Sequence, residues 1–138
     1  MRVLFPSWRF FEDVGSALYL QYRLSAPSAE PGPWRDALRQ PPRRWSSFLL
    51  NAEGNLFLAA HSLLQRLESE IGELDPAHTS AFEGSVSFRL TQNLVQEQIR
   101  RDEPATAGMR FQFRVTRSTP AGSTPEPFLI SSLYEVGP

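Results

Sequence analysis

Residues 54–74 read Gly-Asn-Leu-Phe-Leu-Ala-Ala-His-Ser-Leu-Leu-Gln-Arg-Leu-Glu-Ser-Glu-Ile-Gly-Glu-Leu. Leu56, Ala60, Leu63, Leu64, Leu67, Ile71 and Leu74 recur at spacings of three and four, while Gln65, Arg66, Glu68, Glu70 and Glu73 fall between them. That spacing predicts an amphipathic helix with one face toward a core. Asn51 or Asn55 is placed to cap its start, and Asp75-Pro76 follows as a stop signal.

The segments on either side change period. In residues 16–25, Leu18, Leu20, Tyr22 and Leu24 share one parity and Tyr19, Gln21 and Arg23 the other, the alternation of a half-buried strand. Residues 109–116 repeat it, with Phe111, Phe113 and Val115 inward and Arg110, Gln112 and Arg114 outward. Residues 85–90 place Val86, Phe88 and Leu90 on one parity and are read as another strand. Thr91 to Arg101 then either prolongs it toward a hairpin at 102–108 or forms a short helix grouping Leu94, Val95 and Ile99; the hairpin is the favoured reading. Phe128 to Val136 reads as the final strand after a loop at 118–127.

The expected fold is therefore α+β: strand, long loop, helix, then three strands, with one long amphipathic helix packed on an antiparallel sheet of four to five strands. In architecture alone this is similar to cystatin-like and other helix-on-curved-sheet arrangements, which fixes no function. At 138 residues the chain has the size of one domain, 1–138, able to bury a core without staples.

Between the first strand and the helix lies a Pro/Arg/Trp-rich loop, residues 26–45, holding five of the 12 prolines. Its one expected regular piece is a helical turn from Pro33 to Arg39, begun by proline. Loops of this length in small domains serve function or stay disordered. An N-terminal helical turn through Trp8, Phe10, Phe11 and Val14 is also expected, capped by Ser7 and stopped by Gly15.

Composition excludes several chemistries. There is no cysteine, so disulfides, thiolate metal sites and cysteine nucleophiles are absent. The eight glycines stand singly, without the spacing of a phosphate loop. His61 and Glu68 fall seven apart on the helix, but two ligands do not close a metal site. Asp75, His78 and Ser80 contain the residue types of a triad, yet they read as capping and turn chemistry. The expectation is thus no catalytic residue, no metal and no cofactor.

Net charge is −1, with 7 Arg against 4 acids in residues 1–44 and 7 Arg against 11 acids in residues 45–138. All 14 basic residues are arginine, and near-neutrality disfavours non-specific nucleic-acid binding. Arg2 and Pro6 break the apolar run at the N-terminus before a signal-peptide core of about 7–15 residues forms. No apolar stretch reaches the roughly 20 residues of a membrane helix, so a cytoplasmic location without a membrane span is expected.

Two groups of residues remain. In the loop, Trp34 and Trp45 bracket Arg35, Arg39, Arg43 and Arg44, the residue types that dominate interface hot spots. On the outward parity of the strands, Arg23, Arg89, Arg110 and Arg114 are expected to form an arginine-bearing sheet face beside Tyr19, Gln21 and Gln112. These point first to a non-catalytic protein-interaction domain, a small subunit or adaptor that meets a protein partner or another copy of itself. The alternative is a small-molecule-binding domain or enzyme with a cavity between helix and sheet. The third reading is nucleic-acid binding through the arginine patches.

Overall fold

The computed structural model describes residues 18–38, 52–73, 82–118 and 126–137. In chain order these form β1 (Leu18–Ser25), β2 (Arg35–Asp36), α1 (Ala52–Glu73), α2 (Val86–Asp102), β3 (Arg110–Arg117), β4 (Glu126–Ile130) and β5 (Tyr134–Glu135). The five strands make one antiparallel sheet in the order β2-β1-β3-β4, with β5 also on β3. The expected α+β class with one antiparallel sheet is what the chain adopts.

The sheet is organised by β1 and β3, which pair over eight residues from Leu18↔Arg117 to Ser25↔Arg110. Directly opposed residues in an antiparallel pair share a face. Leu20 therefore sits with Val115, Tyr22 with Phe113 and Leu24 with Phe111 on the inner face. All but the half-buried Leu24 are buried. The opposite parity carries Tyr19, Gln21, Arg23, Arg110, Gln112, Arg114 and Thr116.

Along the other edge of β3, the predicted single last strand is split in two. Phe128 is an extra residue between Leu129 and Pro127, which oppose Val115 and Thr116, so β4 bulges there. Beyond Ile130 the chain is tied by Ser131. Its N–H donates to the Phe113 carbonyl at 2.9 Å and its Oγ accepts from the Phe113 N–H at 3.0 Å. A side-chain hydroxyl thus takes the place of a ladder carbonyl, and pairing resumes at Tyr134 opposite Phe111.

Residues 86–102 form a helix, not a strand followed by a hairpin. Ser85, in extended backbone at φ −67° and ψ 152°, caps α2 by accepting the Phe88 N–H at 3.2 Å. The buried positions are Ser87, Phe88, Thr91, Val95 and Ile99, a helical stripe, whereas Val86 and Leu90 are 67% and 50% exposed. Period two in Val86, Phe88 and Leu90 was a coincidence of three residues. The turn at 102–109 exists but joins helix to strand: Glu103 N–H donates to the Ile99 carbonyl, and Gly108 takes φ +82°, the left-handed region open to glycine.

Helix α1 follows its predicted pattern, with Ala60, Leu64 and Leu67 buried, Leu63 and Ile71 half-buried and Leu56 exposed. Leu74 lies outside the described residues. Both helices contribute to one core with the inner sheet face. Phe88 anchors α2 there, 5.3 Å from the Phe113 ring and 5.6 Å from Phe82 in an edge-to-face contact. Ion pairs tie the helices to strand ends, Glu68 to Arg117 and Glu103 to Arg35.

The helices are linked by Glu70 of α1, whose Oε1 accepts from Ser87 Oγ at 2.7 Å and from Arg66 Nε at 3.1 Å. The Ser87 hydrogen bond holds the Glu70 carboxyl below its ordinary value of 4.5; burial opposes this and Arg66 adds to it. A carboxylate with a lowered folded-state pKa adds stability above its unfolded value, and that stability is lost as pH falls through the folded one.

Two predictions follow from this packing. Val86→Ser and Leu90→Ser should each change unfolding free energy by within about 0.5 kcal/mol, whereas Phe88→Ala should cost about 3–5 kcal/mol. A strand at 85–90 would make all three costly, and urea titration distinguishes them. Ser87→Ala should cost about 1–3 kcal/mol at neutral pH, with a smaller cost when the same titration is run well below pH 4.5, where Glu70 is protonated.

Candidate functional site

The face of the sheet turned away from the helices is built from polar side chains that bind one another across strands. It begins with the loop after β1. Ser25 Oγ donates to the Ala26 and Ala29 carbonyls, both at 3.2 Å, and Gly32 N–H donates to the Leu24 carbonyl at 2.8 Å. The backbones meet so closely that a Cβ on Gly32 would lie 3.1 Å from that carbonyl. The chain is thereby folded back along β1, with Arg35 opposite Tyr22, Asp36 opposite Gln21, and Ala37 N–H donating to the Leu20 carbonyl at 2.9 Å. An extended edge therefore replaces the helical turn predicted from Pro33, because these residues find their backbone partners on β1.

The same alternation puts Trp34 on the outer face, where it meets two arginines. The Arg23 and Arg114 guanidinium carbons lie 4.6 and 4.3 Å from the centroid of its ring. Each arginine is aimed by a glutamine. Arg23 donates from Nε at 2.9 Å and Nη2 at 2.6 Å to Gln112 Oε1, and Arg114 Nε donates to Gln21 Oε1 at 2.9 Å. The glutamines are fixed in turn: Gln112 Nε2 donates to the Ser131 carbonyl at 2.7 Å and Gln21 Nε2 to Asp36 Oδ1 at 2.9 Å.

Arg23, Arg114 and Trp34 are all half-buried. Among the described residues, neither arginine has a carboxylate within ion-pairing distance, whereas Arg35, Arg66, Arg100, Arg101 and Arg117 do. Tyr19 and Ile130 flank the cluster on the same face, 44% and 53% exposed.

The sequence-predicted residues thus separate. Trp34 joins the sheet-face pair Arg23 and Arg114 in one cluster. Arg110 is exposed on the same face, opposite Glu135. Arg89 is not on the sheet, because residues 86–90 are helical; it is exposed on α2. Arg35 has the inner parity and pairs with Glu103. Arg39, Arg43, Arg44 and Trp45 lie outside the described residues, as do Asp75, His78 and Ser80.

Sequence reasoning grouped Gln21 and Gln112 with the arginines but missed Asp36, Ile130 and Ser131, whose places depend on which strands become neighbours. Arg23 and Gln112 are 89 positions apart, and Arg114 and Gln21 are 93 apart.

Elsewhere, His61 stacks on Phe57 at 6.2 Å between ring centroids, and Glu68 is committed to Arg117. A cleft of about 370 Å³ is lined by Tyr22, Arg35, Asp36, Asp102 and Glu103, at the β2 edge and the end of α2. No group of three or more metal-ligating side chains occurs among the described residues, and no described helix is long and apolar enough to cross a membrane. Compared with known proteins, the chain matches no family model, no curated protein and no solved structure.

Proposed function

We propose that this chain is a non-catalytic protein-interaction domain, a small subunit or adaptor, and that it docks its partner on the outer face of the sheet. One observation carries this reading: two half-buried guanidinium groups are held over one indole by neutral amides, with no carboxylate partner among the described residues. Desolvating charge is costly unless it is compensated. A partner that supplies the compensation gains directed, charge-assisted hydrogen bonds. Tryptophan and arginine are also the side chains that most often carry interface energy.

The test leaves this cluster untouched and alters the exposed residues beside it. A Tyr19→Ser, Ile130→Ser double variant should melt within a few degrees of the parent, since neither side chain belongs to the core. It should nevertheless lose a stoichiometric partner that the parent retains from native-host extract, or dissociate a parent oligomer seen by light scattering. A strictly monomeric parent that retains nothing, or retention indifferent to both substitutions, contradicts the proposal.

A further inference from the structure

The chemistry of the outer face narrows what can sit on it. Arg23 spends Nε and Nη2 on Gln112, and Arg114 spends Nε on Gln21. Arg23 Nη1 and both terminal nitrogens of Arg114 make no hydrogen bond among the described residues. A planar guanidinium fork with free donors matches an oxyanion, and with the fork already oriented, less side-chain freedom is lost when the anion arrives.

The surroundings choose among anions. Asp36 shares the face through its pairing with Gln21, and Glu135 through its pairing with Arg110. Asp36 thus stands in the cross-strand row of Gln21 and Arg114, Glu135 stands in the row of Arg110 just past that of Arg23, and the whole chain carries a net charge of −1. A continuous polyphosphate laid across the face would meet both acids, and nucleic-acid binding ordinarily relies on a broad basic footprint. A segment with discrete carboxylates avoids that repulsion. Tyr19 and Ile130, exposed beside the arginines, offer apolar contact to the residues between those carboxylates.

Resting on the reading of this face as the docking surface, we infer that the occupant is an acidic peptide segment of a partner protein. Its carboxylates sit on Arg23 and Arg114, and its intervening apolar side chains lie against Tyr19 and Ile130. Attraction at this half-buried pair is only partly screened, so binding weakens with salt but less steeply than on a phosphate polymer.

The probe is a short blocked peptide, Ser-Glu-Leu-Asp-Leu-Glu-Ser, titrated into the full chain by calorimetry. It is compared with its Gln/Asn counterpart and with a short thymidine oligonucleotide. The acidic peptide should bind at least about tenfold more tightly than the amide version, a difference of roughly 1.4 kcal/mol. Arg23→Gln and Arg114→Gln should each remove most of that preference. Should either variant fail to fold, the comparison of the two peptides on the parent chain still decides. Equal binding of both peptides, preference for the oligonucleotide, or no binding of the acidic peptide overturns the inference. A partner still lost on the Tyr19→Ser, Ile130→Ser change would then leave the docking surface standing with a different chemistry.

Discussion

Both faces of the described sheet depend on the eight-residue register between β1 and β3. Because side chains alternate across a strand, that one alignment sends Leu20, Tyr22, Phe111, Phe113 and Val115 toward the helices. It sends Gln21, Arg23, Gln112 and Arg114 the other way. A slip of one residue would bury the arginines and expose the aromatics. Core and polar face are therefore two consequences of a single constraint, and the hydrogen bonds Arg23–Gln112 and Arg114–Gln21 exist only in this register.

The strands were legible because their alternation runs through whole elements. Eight residues of β1 and eight of β3 keep apolar and polar parity with few exceptions, and nothing else explains such a pattern. Helix α1 was legible for the same reason at a different period. Helix α2 was not, since Val86, Phe88 and Leu90 mimic a strand over a window of five residues while the true stripe, Ser87, Phe88, Thr91, Val95 and Ile99, includes two hydroxyl residues. Those hydroxyls look solvent-facing in a sequence. In the fold they bond inward, Ser87 to Glu70 and Thr91 to the Ser87 carbonyl. The cap at Ser85 was the signal that could have decided it.

The cluster on the outer face was legible only in halves. Parity alone grouped the arginines with the glutamines, and composition alone singled out Trp34. What joined them was the return of the loop along β1, secured by backbone hydrogen bonds from Gly32 and Ala37. No local pattern encodes that return, because an extended edge of two residues is too short to show a period. The break in the last strand has a similar origin: Ser131 substitutes its hydroxyl for a ladder carbonyl, a choice made by tertiary contact and not by propensity.

Arg23 and Arg114 are fixed over Trp34 before any partner arrives. Nitrogen-15 NMR of the free chain tests this directly, by observing the two arginine Nε–H groups and their proximity to the indole. Two resolved, slowly exchanging Nε–H signals are expected, shifted by the ring and showing cross-relaxation with Trp34 protons. Averaged signals at ordinary solvent-exposed positions, with no contact to the indole, would contradict it.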